Sequence, residues 1–291
     1  MKKTISILLA LACIVALAAC AATPPEETGS PSLTPPSGAS ETPEAPDENT
    51  ETPDPGSDLA YITAKGELII GVTDYEPMNY KDANGAWTGF DTEFAEAVCE
   101  KLGITPVFQE IEWSSKETEL KGKTIDCIWN GLTVDDDRRL NMDFSLSYLL
   151  NEQVVVVAAA SAAEYTGKDS FDGLTVVAEE GSAGETAAAE LTGAVVVPVQ
   201  SQASALLEVK SGTADAAVID STMASAMTGE GTDYADLAVL DLSLTAEEYA
   251  IGFRLGSDVT AAVDAAIGEL LSDGTLAAIA AKYDLADRLT Q

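Results

Sequence analysis

Glu119-Leu120-Lys121-Gly122-Lys123-Thr124-Ile125-Asp126-Cys127-Ile128-Trp129 decides the fold, because its plan returns 89 residues later as Glu208-Val209-Lys210-Ser211-Gly212-Thr213-Ala214-Asp215-Ala216-Ala217-Val218. In each copy a Glu-x-Lys end closes a helix, and a strand opened by Asp126 or Asp215 follows. The helix starts near Asp91 and Ser182 keep nearly the same offset. A repeat of this kind implies two lobes of similar construction. Under the same offset Gly131 corresponds to Asp220. Both stand just beyond a strand, where ligands bind in open α/β sheets. The segments after Thr73, Trp129, Glu180 and Ile219 are therefore where chemistry is expected.

Outward from the repeat, strand and helix alternate. Apolar runs predict strands at 67–73, 104–111, 125–129 and 152–158, then at 174–178, 194–199 and 215–219. Gly89-Phe90-Asp91 opens a helix with Asp91 as N-cap, Phe94, Ala97, Val98 and Leu102 on one face, and Gly103 as terminator. Ser114-Ser115-Lys116-Glu117 fits a capping box. Helices follow at 182–191 and 201–210, and a last helical tract at 257–283 breaks at Asp273-Gly274. The pattern is α/β with a mostly parallel sheet in each lobe.

The N-terminal segment has a different character. Met1-Lys2-Lys3 precedes an apolar run over 5–19 broken only by Ser6, which reads as a signal peptide and is short for a spanning helix. Residues 21–57 hold nine of the twelve prolines, eight acids and no Lys or Arg. Such a segment cannot bury enough apolar surface to fold and reads as an extended tether. The chain carries 15 basic against 49 acidic residues, a net charge of -34. Residues 1–57 account for two lysines and eight acids, so the body keeps 13 basic and 41 acidic residues, a net of -28. This charge argues against nucleic acid and against anionic lipid as partners. With no histidine, a Ser-His-Asp triad and a His-ligated zinc site are excluded. No side chain titrates in the neutral range at its unperturbed pKa, which predicts a flat pH dependence of binding. Cys99, on an amphipathic helix, and Cys127, on an apolar strand, read as buried free thiols.

Ile70-Gly71-Val72-Thr73-Asp74-Tyr75-Glu76-Pro77-Met78, Gly89-Phe90-Asp91, the run from Ile125 to Thr133 with Arg138, Asp143-Phe144-Ser145, Gly181-Ser182-Ala183-Gly184, Asp215 through Asp220, Asp273-Gly274-Thr275 and Lys282-Tyr283 occur in that order. This ordered set resembles the polar amino-acid-binding proteins of ABC importers, the solute-binding proteins of family 3. The resemblance implies a periplasmic-binding-protein-like fold with two crossover strands, near 150–158 and 244–252. Lobe I would comprise 58–153 plus 249–291, and lobe II 154–248. Leu17-Ala18-Ala19-Cys20 resembles the lipobox of bacterial lipoproteins, which implies a signal peptide over 1–20 and a lipid anchor on Cys20. The implied protein is an extracytoplasmic, lipid-anchored monomer. It would bind one amino acid, need no cofactor or metal, and deliver its ligand to an ABC transporter permease.

The residue chemistry agrees with that resemblance. Arg138 offers a planar fork for a carboxylate. Thr133 adds a hydroxyl, and backbone N–H groups near Gly131 allow close approach. Ser182 and Ala183, with Gly184, open a helix whose N–H groups favour an anion. Asp220 matches an ammonium, Tyr75 and Trp113 stand where the family has aromatic walls, and Asn130 is a polar cleft residue. Bland readings exist for each: Arg138 paired with Asp135, Asp136 or Asp137 on the surface, Asp220 as a helix N-cap, Trp113 as a lid over the core. Trp129 reads at least as well as core. Ala183 and Met78 depart from the family pattern, which often has a hydroxyl and an aromatic there. Glu76 and Glu112 flank the proposed walls, and aromatic faces attract cations. A cationic or neutral polar ligand follows, with arginine, lysine, ornithine or histidine ahead of glutamine or cystine. The rival readings are a dehydratase on the same fold, with Glu76 as acid or base, and an amino-acid sensor.

Overall fold

The computed structural model describes residues 56–290, so the apolar run, Cys20 and the tether up to residue 55 lie outside the described residues. The chain enters through α1 (Asp58–Lys65), capped by the Ser57 hydroxyl and ended by Gly66 in the left-handed conformation. Strand β1 (Glu67–Val72) follows, then a hairpin of β2 (Tyr80–Lys81) and β3 (Trp87–Thr88), and α2 (Phe90–Leu102). Next come β4 (Thr105–Glu110), α3 (Lys116–Lys121), β5 (Cys127–Ile128), α4 (Asp136–Arg139) and β6 (Met142–Phe144). The long strand β7 (Leu149–Ala158) leads to β8 (Thr175–Glu179), α5 (Ala183–Ala188), β9 (Val195–Val199), α6 (Gln202–Ser211), β10 (Ala216–Asp220) and α7 (Ser221–Met227). A second long strand, β11 (Leu237–Tyr249), returns to β12 (Gly252–Arg254), and α8 (Val259–Ser272) and α9 (Thr275–Lys282) finish the body.

Two five-stranded sheets result, ordered β4-β1-β5-β12-β6 in lobe I and β9-β8-β10-β7-β11 in lobe II. In each, three neighbouring strands run parallel, the fourth is antiparallel, and the fifth reverses again. Four of five strands thus share a direction, as the alternation of elements predicts. The strand order is the same in both lobes, and β5 and β10 begin 89 residues apart, at Cys127 and Ala216. The second crossing strand starts earlier than the resemblance implies, at Leu237. Its alternating exposure along a sheet edge, with register shifts after Val239 and Ser243, masks it as a surface segment in the sequence.

Two local predictions fail, each for a visible reason. Asp91 is not the N-cap of α2; Gly89 holds that place. The carbonyls of Pro77 and Met78 accept from Phe90 N (2.8 Å) and Asp91 N (2.9 Å), so the free N–H groups of the helix start are already satisfied. Gly89 must be glycine, because at φ 114° a Cβ would stand 2.3 Å from the Met78 carbonyl oxygen. The capping box at Ser114 does not form either. A 3-10 turn over Trp113–Ser115 feeds α3, and Ser115 is already helical at φ −96°, ψ −5°.

Trp129 is fully buried, 5.0 Å edge-on from Phe94, and belongs to the core with Phe90 and Tyr148. Cys99 and Cys127 are free and buried, and burial pushes the Cys99 thiol up to about 12. No described helix is long and apolar enough to cross a membrane.

Lobe I is pinned by a buried ionic cluster. Arg254, on β12, pairs with Asp58 at 2.8 Å and Asp126 at 3.5 Å, and donates to the Ile125 carbonyl at 2.8 Å. Lys65 closes on Asp126 at 2.6 Å, while Lys123 reaches Asp58 at 3.1 Å. Burial alone would raise the Asp58 carboxyl, but hydrogen bonds from Arg254 and Lys123 hold it below its ordinary value. Its contribution is therefore present above the ordinary carboxylate range and lost as pH falls through the lowered value. Arg254→Ala strands buried carboxylates, so chemical denaturation should show a loss of about 3–5 kcal/mol. Lys81→Ala, which opens the exposed pair with Glu110, should change stability little.

Candidate ligand-binding cleft

The ends of the parallel strands in both lobes meet at one cavity. Tyr75 follows β1, Trp113 follows β4, Asn130, Gly131 and Thr133 follow β5, and Arg138 lies on α4. From the other lobe come Glu179 at the end of β8, Ser182 and Ala183 at the start of α5, Gln202 at the start of α6, and Asp220 at the end of β10. The nine residues singled out in the sequence all line it, joined by Glu179 and Gln202. The cavity is nearly closed, with a volume of about 10 Å³.

Several contacts cross between the lobes. Tyr75 Oη shares a hydrogen bond with Thr222 Oγ1 at 2.5 Å and with Tyr249 Oη at 2.7 Å. The Gly181 carbonyl accepts from Lys116 Nζ at 2.9 Å and from Arg138 Nη2 at 3.3 Å. Trp113 is 6% exposed, and Lys116 Nζ stands 4.7 Å above its ring centre.

Gly131 permits the close approach on which the cavity depends. It adopts φ 57°, its N–H donates to Asp91 Oδ2 at 2.7 Å, and a Cβ would sit 2.6 Å from the Tyr75 ring. The Asp91 carboxylate freed from capping thus holds the Gly131 loop, with Tyr148 Oη donating to it at 3.0 Å. Burial pushes Asp91 up to about 7, against the pull of these two donors.

Arg138 pairs with a neighbouring acid and also lines the cavity. Nε pairs with Asp135 at 3.1 Å, yet the side chain is buried at the cavity, and Nη1 donates to the Thr133 carbonyl at 2.8 Å. Each terminal nitrogen spends one N–H in these described bonds, so one on each is left for a carboxylate. Asp220 occupies the N-cap position of α7, but its side chain does not cap. It accepts instead from Asn151 Nδ2 at 2.7 Å, Gln153 Nε2 at 2.6 Å and Gln202 Nε2.

Other assignments change. The Asn130 side chain is committed within lobe I, accepting from Thr73 Oγ1 at 2.7 Å and donating to the Thr73 carbonyl at 3.1 Å. Thr133 Oγ1 donates to Glu247 Oε1 at 3.0 Å. The Ser182 N–H is not open to an anion, because it donates to the Glu179 carbonyl at 3.1 Å, and its hydroxyl caps Glu185 N. Glu76 and Glu112 miss the cavity. Glu76 lines a separate crevice with Tyr80, Tyr283 and Arg288, and the exposed Glu112 accepts from Gln200 at 3.1 Å.

The acids that do face the cleft are Glu179 and Asp220, with Glu247 at the mouth. Burial, then the charge of Asp220, pushes Glu179 up to about 8, while Lys116 opposes the shift. Glu247 rises to about 8 for the same two reasons. Burial, then the nearby Arg138, lowers Lys116 to about 8. Desolvation moves these carboxyl groups toward the neutral range, so the absence of histidine does not by itself make the cleft indifferent to pH. Glu179 carries a signal, since it stands between the end of the strand predicted over 174–178 and the segment expected after Glu180. Gln202 and Glu247 carry none.

The sequence pattern of bacterial extracellular solute-binding proteins, family 3, matches residues 68–286. L-cystine-binding protein TcyJ of Escherichia coli (strain K12) is 27% identical over 232 residues, covering 79% of this chain and 86% of that protein. Arginine-binding extracellular protein ArtP of Bacillus subtilis (strain 168) is 28% identical, with 76% and 87% covered. An ABC uptake transporter substrate-binding protein from Streptococcus pneumoniae, solved with bound histidine, superposes with a TM-score of 0.74 at 31% identity, covering 81% of this chain and 99% of that one. The strand ends, the cleft they form and the span of these matches together place the chain in the bacterial extracellular solute-binding proteins of family 3.

Proposed function

We propose that this chain captures an amino acid with a cationic side chain outside the cytoplasm and delivers it to the permease of an ABC importer, held to the cell membrane by lipid on Cys20. The observation that carries the ligand is the charge set of the cavity: Arg138, Asp220 and the buried Glu179. A cationic amino acid presents three charges of the opposite signs. Arg138 meets the carboxylate, Asp220 the α-ammonium, and Glu179 the side chain between the Tyr75 and Trp113 walls. The relatives that bind arginine and histidine support this reading. So does the mouth, where Asp135, Asp136, Asp137, Glu185 and Glu190 outnumber Lys116 and Arg138 and draw cations inward. Because the cavity takes walls from both lobes, a ligand that touches both stabilises the closed arrangement, and closure is the signal a permease reads.

The dehydratase reading retains one supporting feature, a cavity acid, Glu179, that burial and Asp220 push up to about 8. Such a group suits a general acid. A small carboxylic acid without an amino group would leave Asp220 unmatched, which favours capture of an amino acid.

Calorimetry with L-arginine, L-lysine, L-ornithine, L-glutamine, L-cystine and L-glutamate tests the ligand class. Basic amino acids should bind tightest and glutamate weakest; tightest binding of glutamate would sink the assignment.

Glu179→Gln isolates the carrying observation. Removing one partner of a desolvated charge pair costs about 2–5 kcal/mol, so L-arginine affinity should fall by that amount while L-glutamine affinity holds. Ionised Glu179 binds the cation, so L-arginine affinity should rise with pH toward about 8 and level off above it. Equal losses for both ligands would remove Glu179 from the side-chain site.

Cys20→Ala tests the anchor by phase partition with detergent. The variant should appear in the aqueous fraction or as an uncleaved precursor, and a mature detergent-phase protein would contradict lipidation.

A further inference from the structure

Glu247 lies on the second crossing strand, and no role above uses it. Its Oε1 accepts from Asn151 Nδ2 at 2.6 Å, Gln153 Nε2 at 2.8 Å and Thr133 Oγ1 at 3.0 Å. The same two amide nitrogens donate to Asp220 Oδ1, at 2.7 and 2.6 Å. An amide NH₂ carries two hydrogens, so each amide spends one on either carboxyl group. Both amides project from β7, at alternate positions and therefore from one face. They hold side by side two carboxyl groups that come from different elements. Glu247 Oε2 is buried and has no hydrogen-bond partner. Two desolvated carboxylates in such proximity do not both ionise cheaply, so the pair needs a positive charge or a proton.

We propose that Glu247 is the second carboxyl group of the α-ammonium site: without ligand it keeps a proton, and the ammonium of the captured amino acid takes that proton's place beside Asp220. The inference rests on the amino-acid-binding reading above. The proton balance is simple. The ammonium arrives with its own protons, the Glu247 O–H bond breaks, and that proton goes to water.

The two carboxyl groups are not equivalent: the oxygens of Asp220 accept from three amides, whereas one oxygen of Glu247 has no donor, so the proton is assigned to Glu247. Burial and the charge of Asp220 push Glu247 up to about 8 against the pull of Asn151, Gln153 and Thr133. Other titratable groups face the pair. Tyr75 and Tyr249 stay neutral, since burial and then the charge of Asp220 push both phenols well up. Glu179 and Arg138 share the cavity lining, and Arg138 is already engaged with Asp135, the Thr133 carbonyl and the Gly181 carbonyl. Lys116, Asp135, Glu185 and Glu190 stand farther out, around the mouth that Glu247 also lines.

The α-ammonium is common to every amino acid, so this proton is distinct from any that Glu179 loses to a cationic side chain. Calorimetry of L-arginine near neutral pH, in phosphate and in Tris, counts the protons released. Glu247→Gln should release about one fewer than the wild type and lose about one tenfold step per pH unit from the affinity profile below about pH 8. Glu179→Gln should keep the Glu247 proton. In the ligand-free protein, carbon NMR of labelled glutamates should show one carboxyl titrating near pH 8 that vanishes in Glu247→Gln and moves down in Asp220→Asn. Equal proton release by wild type and Glu247→Gln, or a Glu247 that titrates in the ordinary carboxylate range, overturns the inference. Failure of every amino acid to bind the wild type overturns the binding reading instead.

Discussion

The carboxylate of Asp220 ends β10 in a place nearly sealed from water, and the surrounding architecture is what makes that charge tolerable. A buried charge is costly unless its lone pairs are met. Here they are met by three amides drawn from two sequence neighbourhoods: Asn151 and Gln153 on one crossing strand, and Gln202 at the start of α6. Gln202 also accepts from the Asp220 N–H at 3.0 Å, so one side chain fixes both ends of the residue. The amides that support Asp220 are the ones that reach Glu247, which couples the charge to the second crossing strand.

The opposite wall is fixed by crowding as much as by charge. Gly131 brings its backbone against Tyr75 and Tyr249, where even a methyl group would collide. The Asp91 carboxylate holds that loop from behind, and it is free to do so because backbone carbonyls terminate α2. A helix cap lost at one site thus becomes a loop anchor at another. The phenol of Tyr75 then meets Thr222 and Tyr249, so the wall of one lobe is stitched to the other.

The two lobes meet through few bonds, and most converge on small groups. One carbonyl, that of Gly181, receives both Lys116 and Arg138. The long crossing strands are paired antiparallel from Leu149 with Tyr249 to Ala158 with Leu237 and join the two lobes.

The sequence by itself determined the two-lobed α/β plan, because hydrophobic periodicity and an 89-residue repeat are local signals that survive without coordinates. Strand ends, read from where apolar runs stop, gave the cleft positions of Gly131 and Asp220, while the family resemblance carried Tyr75, Trp113 and Arg138. Only tertiary structure decided which acids line the cleft. Glu76 and Glu112 sit beside the aromatic walls in sequence yet turn elsewhere, while Glu179 and Glu247 arrive from distant elements. It also decided which carboxyl groups are pushed toward the neutral range. The pKa of a carboxyl group depends on burial and on neighbours brought together by folding, and neither quantity is written in the residues on either side of it.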